Sequence, residues 1–327
     1  MSQWTRDQMP RMEDTTVVIT GANSGLGYEA TDAFARRGAT VVMAVRSRER
    51  GRDAAESIRA AADGPAETDM DLDIRICDLA DLSSVESFAQ GVREEYETVD
   101  ILCNNAGVMA IPQQETADGF EMQLGVNHFG HFALTAQLFP MIRAGERDSR
   151  IITQSSGAHQ TGSMDFSDLN WTESYGKWQA YGRSKLANLL FAYELQRRLD
   201  DSGIETVRSI GCHPGYADTN LQMRTAEESG NPLVKLGMRL GNRLLAQSPE
   251  MGALPMLYAA TTDVDGGSYV GPGGLFDMRG YPAIVESNDA SHDQEDAQTL
   301  WARSEEATGV DFPLESPPSV EENPPAT

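Results

Sequence analysis

The chain has 327 residues, 40% of them hydrophobic, enough to bury a large core as one α/β unit or two smaller ones. Its formal net charge of -24 excludes nucleic acid and anionic membrane surfaces as natural partners, since both would repel it. Only three of the 26 basic residues are lysine (Lys177, Lys185, Lys235), and a chain so acidic and lysine-poor fits a halophile's high-salt cytoplasm, where screening makes self-repulsion tolerable.

Residues 1–14 form an arm without the apolar core of a signal peptide, and no apolar run reaches spanning length, so a soluble cytoplasmic protein is expected. The first structured stretch runs from Thr15 to Gly27. Val17, Val18 and Ile19 are contiguous and β-branched, as in a parallel strand covered on both faces. Gly21, Gly25 and Gly27 follow in the spacing Gly-x-x-x-Gly-x-Gly, with Asn23, Ser24 and Leu26 between them. Gly21 permits a tight turn, Gly25 lets backbone approach a ligand, and Gly27 lets the next helix pack close. The unpaired N–H groups at that helix start suit a pyrophosphate.

Residues 40–45 read as a second strand, followed by a helix to about Ala62 and a polar loop at 63–70. A third strand at 72–77, a helix at 83–96 and a fourth strand at 99–104 come next. A long helix is expected over about 119–144, a fifth strand at 150–155, a second long helix over about 178–199 and a sixth strand at 205–212. Strand and helix alternate throughout, which implies a single-domain Rossmann fold, a doubly wound parallel sheet with helices on both faces. Residues 216–248 interrupt the rhythm, and their amphipathic piece 233–245 reads as a lid or as a helix packed on the body. A helix at 250–260 and a strand around 268–270 bring the sheet to about seven strands and close a domain spanning 15–275. A carboxyl-terminal extension, 276–312, holds one helix near 293–306, docked by Ala297, Leu300 and Trp301; the tail from Pro313 is proline-rich, acidic and expected to be disordered. Cys77, Cys103 and Cys212 each end a buried strand without metal-like spacing, so they read as reduced core thiols and no metal site is expected.

Ser156 stands just past the fifth strand, and Tyr181 and Lys185 share one helical face at i and i+4. A phenol titrates near 10 in water, too high for a group that must give and take a proton at neutral pH. An ammonium alongside favours the phenolate, and a downward shift of about 3 units requires about 4 kcal/mol of differential stabilisation. With these residues in place the chain resembles the short-chain dehydrogenase/reductase family over about residues 15–275. The motifs stand in that family's order: the Thr20–Gly27 turn, Asp78, Asn104-Asn105-Ala106-Gly107, Asn127, Ser156, Tyr181 with Lys185, and Pro214-Gly215. Asn127-His128-Phe129-Gly130-His131-Phe132 and Arg183-Ser184-Lys185-Leu186-Ala187-Asn188 resemble its retinol-dehydrogenase-like and WW-domain-oxidoreductase-like branch.

The resemblance implies an NAD(P)-dependent oxidoreductase acting on a small-molecule alcohol or carbonyl. Tyr181 would be the general acid/base, Lys185 would hold the nicotinamide ribose and lower the phenol's pKa, and Ser156, rather than its neighbour Ser155, would hydrogen-bond the substrate oxygen. Asn127 would interrupt its helix to hold a water in the proton relay. Asp78 with Leu79 would meet the adenine, Asn104, Ala106 and Gly107 the adenosine ribose, and Pro214, Gly215 and Thr219 the nicotinamide or pyrophosphate. At the end of the second strand an acid would bind the ribose 2′-OH, but this chain has Arg46, whose planar fork suits a 2′-phosphate, so NADP(H) is favoured over NAD(H). His128, His131 and His159 read as core or surface residues, with substrate contact the alternative, and Trp171 and Trp178 as packing for the active-site loop, again with substrate contact the alternative. Pairing through the two long helices would give a homodimer or homotetramer, unless the carboxyl extension covers that surface. The competing function is a catalytically idle dinucleotide sensor or scaffold. The Thr-Gly-x-x-Gly-x-x-Gly turn of epimerases and dehydratases is missing.

Overall fold

The computed structural model describes residues 3–61, 70–145, 148–215, 247–274 and 277–314. The strands are β1 (Thr16–Thr20), β2 (Thr40–Val45), β3 (Leu72–Ile76), β4 (Ile101–Asn104), β5 (Ser149–Gln154), β6 (Val207–Cys212), β7 (Tyr269–Pro272) and β8 (Pro282–Ile284). They form one sheet of eight strands in the order β3-β2-β1-β4-β5-β6-β7-β8, parallel except for the antiparallel β7–β8 pair. The sheet thus carries one strand more than the seven expected. β8 is three residues long with exposed Ile284 at its end, too short and too open to leave a hydrophobic pattern.

Each central strand sends alternate residues to opposite faces, and both faces are covered. Val17, Ile19, Val41, Met43, Ile101 and Cys103 pack against Phe34 of helix α1 (Gly25–Arg36), Ile58 of α2 (Arg48–Ala60) and Leu254 of the helix Pro249–Thr261. Val18, Val42 and Leu102 face the other way, toward Phe88 of α3 (Leu82–Glu95), Phe132 of α4 (Gly130–Arg143) and Phe191 of α5 (Lys177–Asp201). Two-sided burial explains why these strands read as unbroken apolar runs. In chain order the helix Pro249–Thr261 is α6 and the last, Gln294–Thr308, is α7.

The chain builds outward from β1 to β3, then returns across β1 to start β4. The connections therefore part above β1 and β4, and a crevice opens at the carboxyl ends of the strands. The helix expected over 119–144 is a composite: a helical turn at Met122–Leu124, a π-helical turn at Gly125–Phe129, then α4. At the far end of the chain α7 lies across α5, and Trp301 and Phe312 join Phe132, Phe139 and Phe191 in one aromatic cluster. The three cysteines are free and buried. Among the described residues no helix is long and apolar enough to cross a membrane. The amphipathic segment 233–245, Thr219 and residues 315–327 of the tail lie outside the described residues.

Candidate active site

The crevice above β1 and β4 is a cavity of about 680 Å³ that starts at the glycine turn and ends at the Tyr181 helix. The three glycines serve three purposes. Gly21 takes φ +67°, and a Cβ there would sit 3.2 Å from Ala106. Gly27 packs so closely that a Cβ would strike the Gly21 carbonyl and lie 2.7 Å from Asn105 Nδ2. Gly25, with φ +55°, has nothing within 4 Å on that side, so its bare backbone faces the cavity. The preceding Ser24 does not cap α1 with its side chain, and the first turn holds no acid. The α1 N–H groups therefore remain available to an anion, with the helix dipole behind them. An open, positively polarised turn of this kind fits a dinucleotide pyrophosphate.

Arg46 lies at one end of the cavity, where β2 finishes. Arg50, which the sequence reading passed over, lines the same end from the first turn of α2, whose N-cap is Ser47. The available signal was the last arginine of the basic run Arg46-Ser47-Arg48-Glu49-Arg50 just after β2. Asp53 and Ser57 continue that wall. Asp78 and Leu79 line the cavity opposite, and Asp78 also closes a local turn, its Oδ1 accepting from the Ala80 N–H at 3.1 Å. Asp78 thus both lines the cavity and closes a turn.

The Asn-Asn-Ala-Gly run divides. Ala106 and Gly107 line the cavity, while Asn104 is 1% exposed and points into the body, donating to Thr135 Oγ1 at 2.8 Å. Asn105 takes the position in the wall expected of Asn104 and is held by its donation to the Thr20 carbonyl at 2.8 Å. One residue of strand register decides which asparagine faces the crevice. Pro214 and Gly215 line the far wall.

Ser156, Tyr181 and Lys185 converge on that wall from two elements. β5 ends at Gln154, and the two serines after it diverge. Ser155 is buried, its hydroxyl donating to the Lys185 carbonyl at 2.8 Å, whereas the half-buried Ser156 faces the Tyr181 phenol. Tyr181 and Lys185 lie four residues apart on α5, 7% and 4% exposed. Lys185 Nζ stands 5.9 Å from the Tyr181 ring centroid and donates to the Gln154 carbonyl at 3.0 Å. The same carbonyl accepts from Asn188 Nδ2 at 2.8 Å.

The electrostatics differ from the sequence expectation. Burial pushes the Tyr181 phenol up, and the Ser156 hydroxyl only partly opposes that. Lys185 is itself pulled down to about 8 by burial. Its ammonium lies over the ring and donates to a backbone carbonyl, and burial, not the ammonium, governs the phenol. The side chains alone thus keep Tyr181 protonated at neutral pH, the form that can give a proton to a carbonyl oxygen.

Asn127 lies in the π-helical turn, as a helix interruption requires, but behind the cavity wall rather than in it. Its Oδ1 accepts from Val108 N at 2.8 Å, and its Nδ2 donates to the Val108 carbonyl at 2.9 Å and to Ser184 Oγ at 2.8 Å. It thereby ties the wall after β4 to α5. His128, His131 and His159 are each 2% exposed, in keeping with core positions. Trp171 packs under the Arg183 guanidinium at 4.0 Å. Trp178, in the first turn of α5, departs from the expected packing role: it is 49% exposed, its ring edge-on to Tyr181 at 6.4 Å. Met109 and Ile111 line the same cavity and were not signalled by any motif.

The chain matches the model of the short chain dehydrogenase family over residues 15–230. It is 41% identical to human (Homo sapiens) retinol dehydrogenase 13 over 314 residues, covering 94% of this chain and 87% of that protein. It is 36% identical to mouse (Mus musculus) polyprenol dehydrogenase over 305 residues, covering 92% and 86%. Among solved structures, an uncharacterized protein from Mycobacterium paratuberculosis superposes with a TM-score of 0.77 at 41% identity, covering 95% of this chain and all of that one. The fold, the ordered motifs at the strand ends and these matches agree: the chain belongs to the short chain dehydrogenase family and is an oxidoreductase.

Proposed function

We propose that the protein interconverts an alcohol and an aldehyde or ketone by hydride transfer, with NADP(H) as the favoured dinucleotide. The observation that carries this reading is the convergence of Ser156, Tyr181 and Lys185 on one wall of a cavity whose opposite end is the glycine turn. The relatives named above are dehydrogenases of retinol and of polyprenol, and the present chain is assigned the same class of reaction on an alcohol of its own.

When bound, the nicotinamide supplies the hydride donor or acceptor. Everything else falls to the chain. The α1 N–H groups and Gly25 hold the pyrophosphate, and Arg46 with Arg50 offers guanidinium forks to a ribose 2′-phosphate, where an acid would repel it. Asp78 and Asn105 bound the adenosine end, and Pro214 and Gly215 bound the nicotinamide end. Tyr181 gives its proton to the carbonyl oxygen in reduction and takes it from the alcohol in oxidation. Ser156 donates to the same oxygen as negative charge develops there. Lys185, steadied by the Gln154 carbonyl, keeps its remaining N–H groups for the ribose and its charge beside the phenol. Asn127 acts from behind the wall, ordering the relay that returns the proton.

The test is NADPH oxidation across a panel of aldehydes and ketones, with wild type and Tyr181→Phe side by side. Tyr181→Phe should lower turnover about 10²- to 10⁴-fold, the worth of a positioned acid, while NADPH still binds. Full turnover in the phenylalanine variant would overturn the mechanism, and tight NADPH binding without turnover in wild type would favour a sensor. For the cofactor, Arg46→Ala combined with Arg50→Ala should erode the NADPH preference over NADH. A preference for NADH in wild type that survives Arg46→Ala would sink the NADP assignment.

A further inference from the structure

His131 has no part in the proton transfer above, yet it occupies a junction between three segments that shape the cavity. It is 2% exposed, at the start of α4, four residues after Asn127. Its Nδ1 lies 3.0 Å from the Asn127 carbonyl oxygen and its Nε2 lies 2.9 Å from Thr20 Oγ1. Thr20 closes β1 immediately before the glycine turn, and its hydroxyl oxygen accepts the backbone N–H groups of Asn105 and Ala106, each at 2.9 Å.

These contacts fix every proton in the chain of bonds. The Asn127 carbonyl can only accept, so Nδ1 carries the ring hydrogen. A neutral ring then presents Nε2 as an acceptor, and the Thr20 hydroxyl must donate to it. The Thr20 lone pairs are in turn taken by the two backbone N–H groups after β4. The alternative acceptor for Thr20, the Cys103 carbonyl, is farther away at 3.3 Å. Burial pulls His131 down to about 4, so the ring stays neutral through the physiological range.

We propose that His131 is a positioning residue that couples the dinucleotide turn to the catalytic π-helical turn, one ring nitrogen setting the Asn127 backbone and the other orienting the Thr20 hydroxyl. The proposal rests on the oxidoreductase reading for its kinetic consequences but not for its geometry. Thr20 fixes where Asn105, Ala106 and the glycine turn meet, which is where the dinucleotide is gripped. Asn127 ties Val108, in the segment after β4, to Ser184, which lies on the Tyr181 helix itself. A hydrophobic residue of the same size would fill the space and sever both links.

Two isosteres separate the arms. Asparagine at 131 places an amide N–H where Nδ1 is, keeping the Asn127 link and losing the Thr20 link. Glutamine places an amide oxygen where Nε2 is, with the opposite result. His131→Asn should weaken NADPH binding about 3- to 10-fold, what one buried hydrogen bond is worth, with a smaller loss in kcat. His131→Gln should show the reverse, kcat falling more than NADPH affinity. Nitrogen-15 NMR of the wild-type histidines, with His131 assigned from its loss in the variants, should report an Nδ1–H tautomer at neutral pH. An Nε2–H tautomer would overturn the proposal. So would parallel losses of affinity, kcat and Tm in both variants, which mark a merely structural role, or no change in either. Were wild type to bind NADPH without turnover, hydride transfer would fail as a reading, while the tautomer and the His131→Asn affinity would still decide the coupling.

Discussion

Replacing Lys185 by methionine should make the protein more stable and far less active. Lys185 is 4% exposed, and burial lowers it from an ordinary 10.5 to about 8. At about 1.4 kcal/mol per unit, keeping the ammonium charged at neutral pH costs about 3 kcal/mol of folding free energy. Against this stands one charge-assisted bond to the Gln154 carbonyl at 3.0 Å, worth about 1.5 kcal/mol. Methionine fills a similar volume without charge, and the Gln154 carbonyl keeps its partner Asn188, so no acceptor is orphaned. The net expectation is a gain of about 1.5 kcal/mol at pH 7.

The pH dependence gives the sharper test. Below pH 8 the lysine is protonated whether the chain is folded or unfolded, so the variant's advantage is constant. Between about 8 and 10.5 the folded chain has lost the proton that the unfolded chain still holds, so wild-type stability rises with pH. Urea unfolding of dinucleotide-free protein, followed by tryptophan fluorescence from pH 6.5 to about 9.5, should show the advantage shrinking by about 1.4 kcal/mol per unit above pH 8. An advantage that holds or grows across that window refutes the reasoning, as does a variant less stable at pH 7.

Gly25 and Gly27 should fail in different ways when changed to alanine. Gly27→Ala, whose Cβ meets the Gly21 carbonyl, should cost about 1–3 kcal/mol of stability by denaturant titration; Gly25→Ala meets no atom but is held at φ +55°, so it should cost about 1 kcal/mol of stability from backbone strain and, in addition, dinucleotide affinity by calorimetry. Trp178→Ala should leave stability within about 0.5 kcal/mol, because the ring is 49% exposed, and raise the substrate KM; an unchanged KM would remove Trp178 from the substrate's path. With a net charge of -24, Tm should climb from low to molar KCl, and a Tm indifferent to salt would remove the high-salt reading.

The sequence made legible whatever depends on the end of a strand. A parallel sheet delivers all its carboxyl ends to one edge, so the glycine turn, Asp78, the Asn-Asn-Ala-Gly run, Ser156 and Pro214-Gly215 had to gather there once the alternation of elements was recognised. Tyr181 and Lys185 were legible for a similar reason, since four residues on a helix fix a shared face. What stayed hidden depends on a choice smaller than the element. Asn104 and Asn105 are chemically equal, and only the exact point where β4 leaves the sheet turns one inward and the other to the crevice.

Arg50 and His131 extend the same point. Arg50 reaches the cavity because Ser47 starts α2 one residue after Arg46; a helix begun elsewhere would rotate it away. His131 reaches Asn127 and Thr20 at once because the π-helical turn displaces α4 just ahead of it, the Gly130 N–H reaching back five residues to Gly125. Residue type told what each group can do, and the register of a strand or the phase of a helix told which of two equal candidates does it. The phenol's titration belongs with these. Chemistry suggested that a neighbouring ammonium would lower it, but the Lys185 side chain is drawn to the Gln154 carbonyl by β5, and burial then governs Tyr181. Proton transfer at this site is therefore set as much by where β5 ends as by the tyrosine–lysine pair itself.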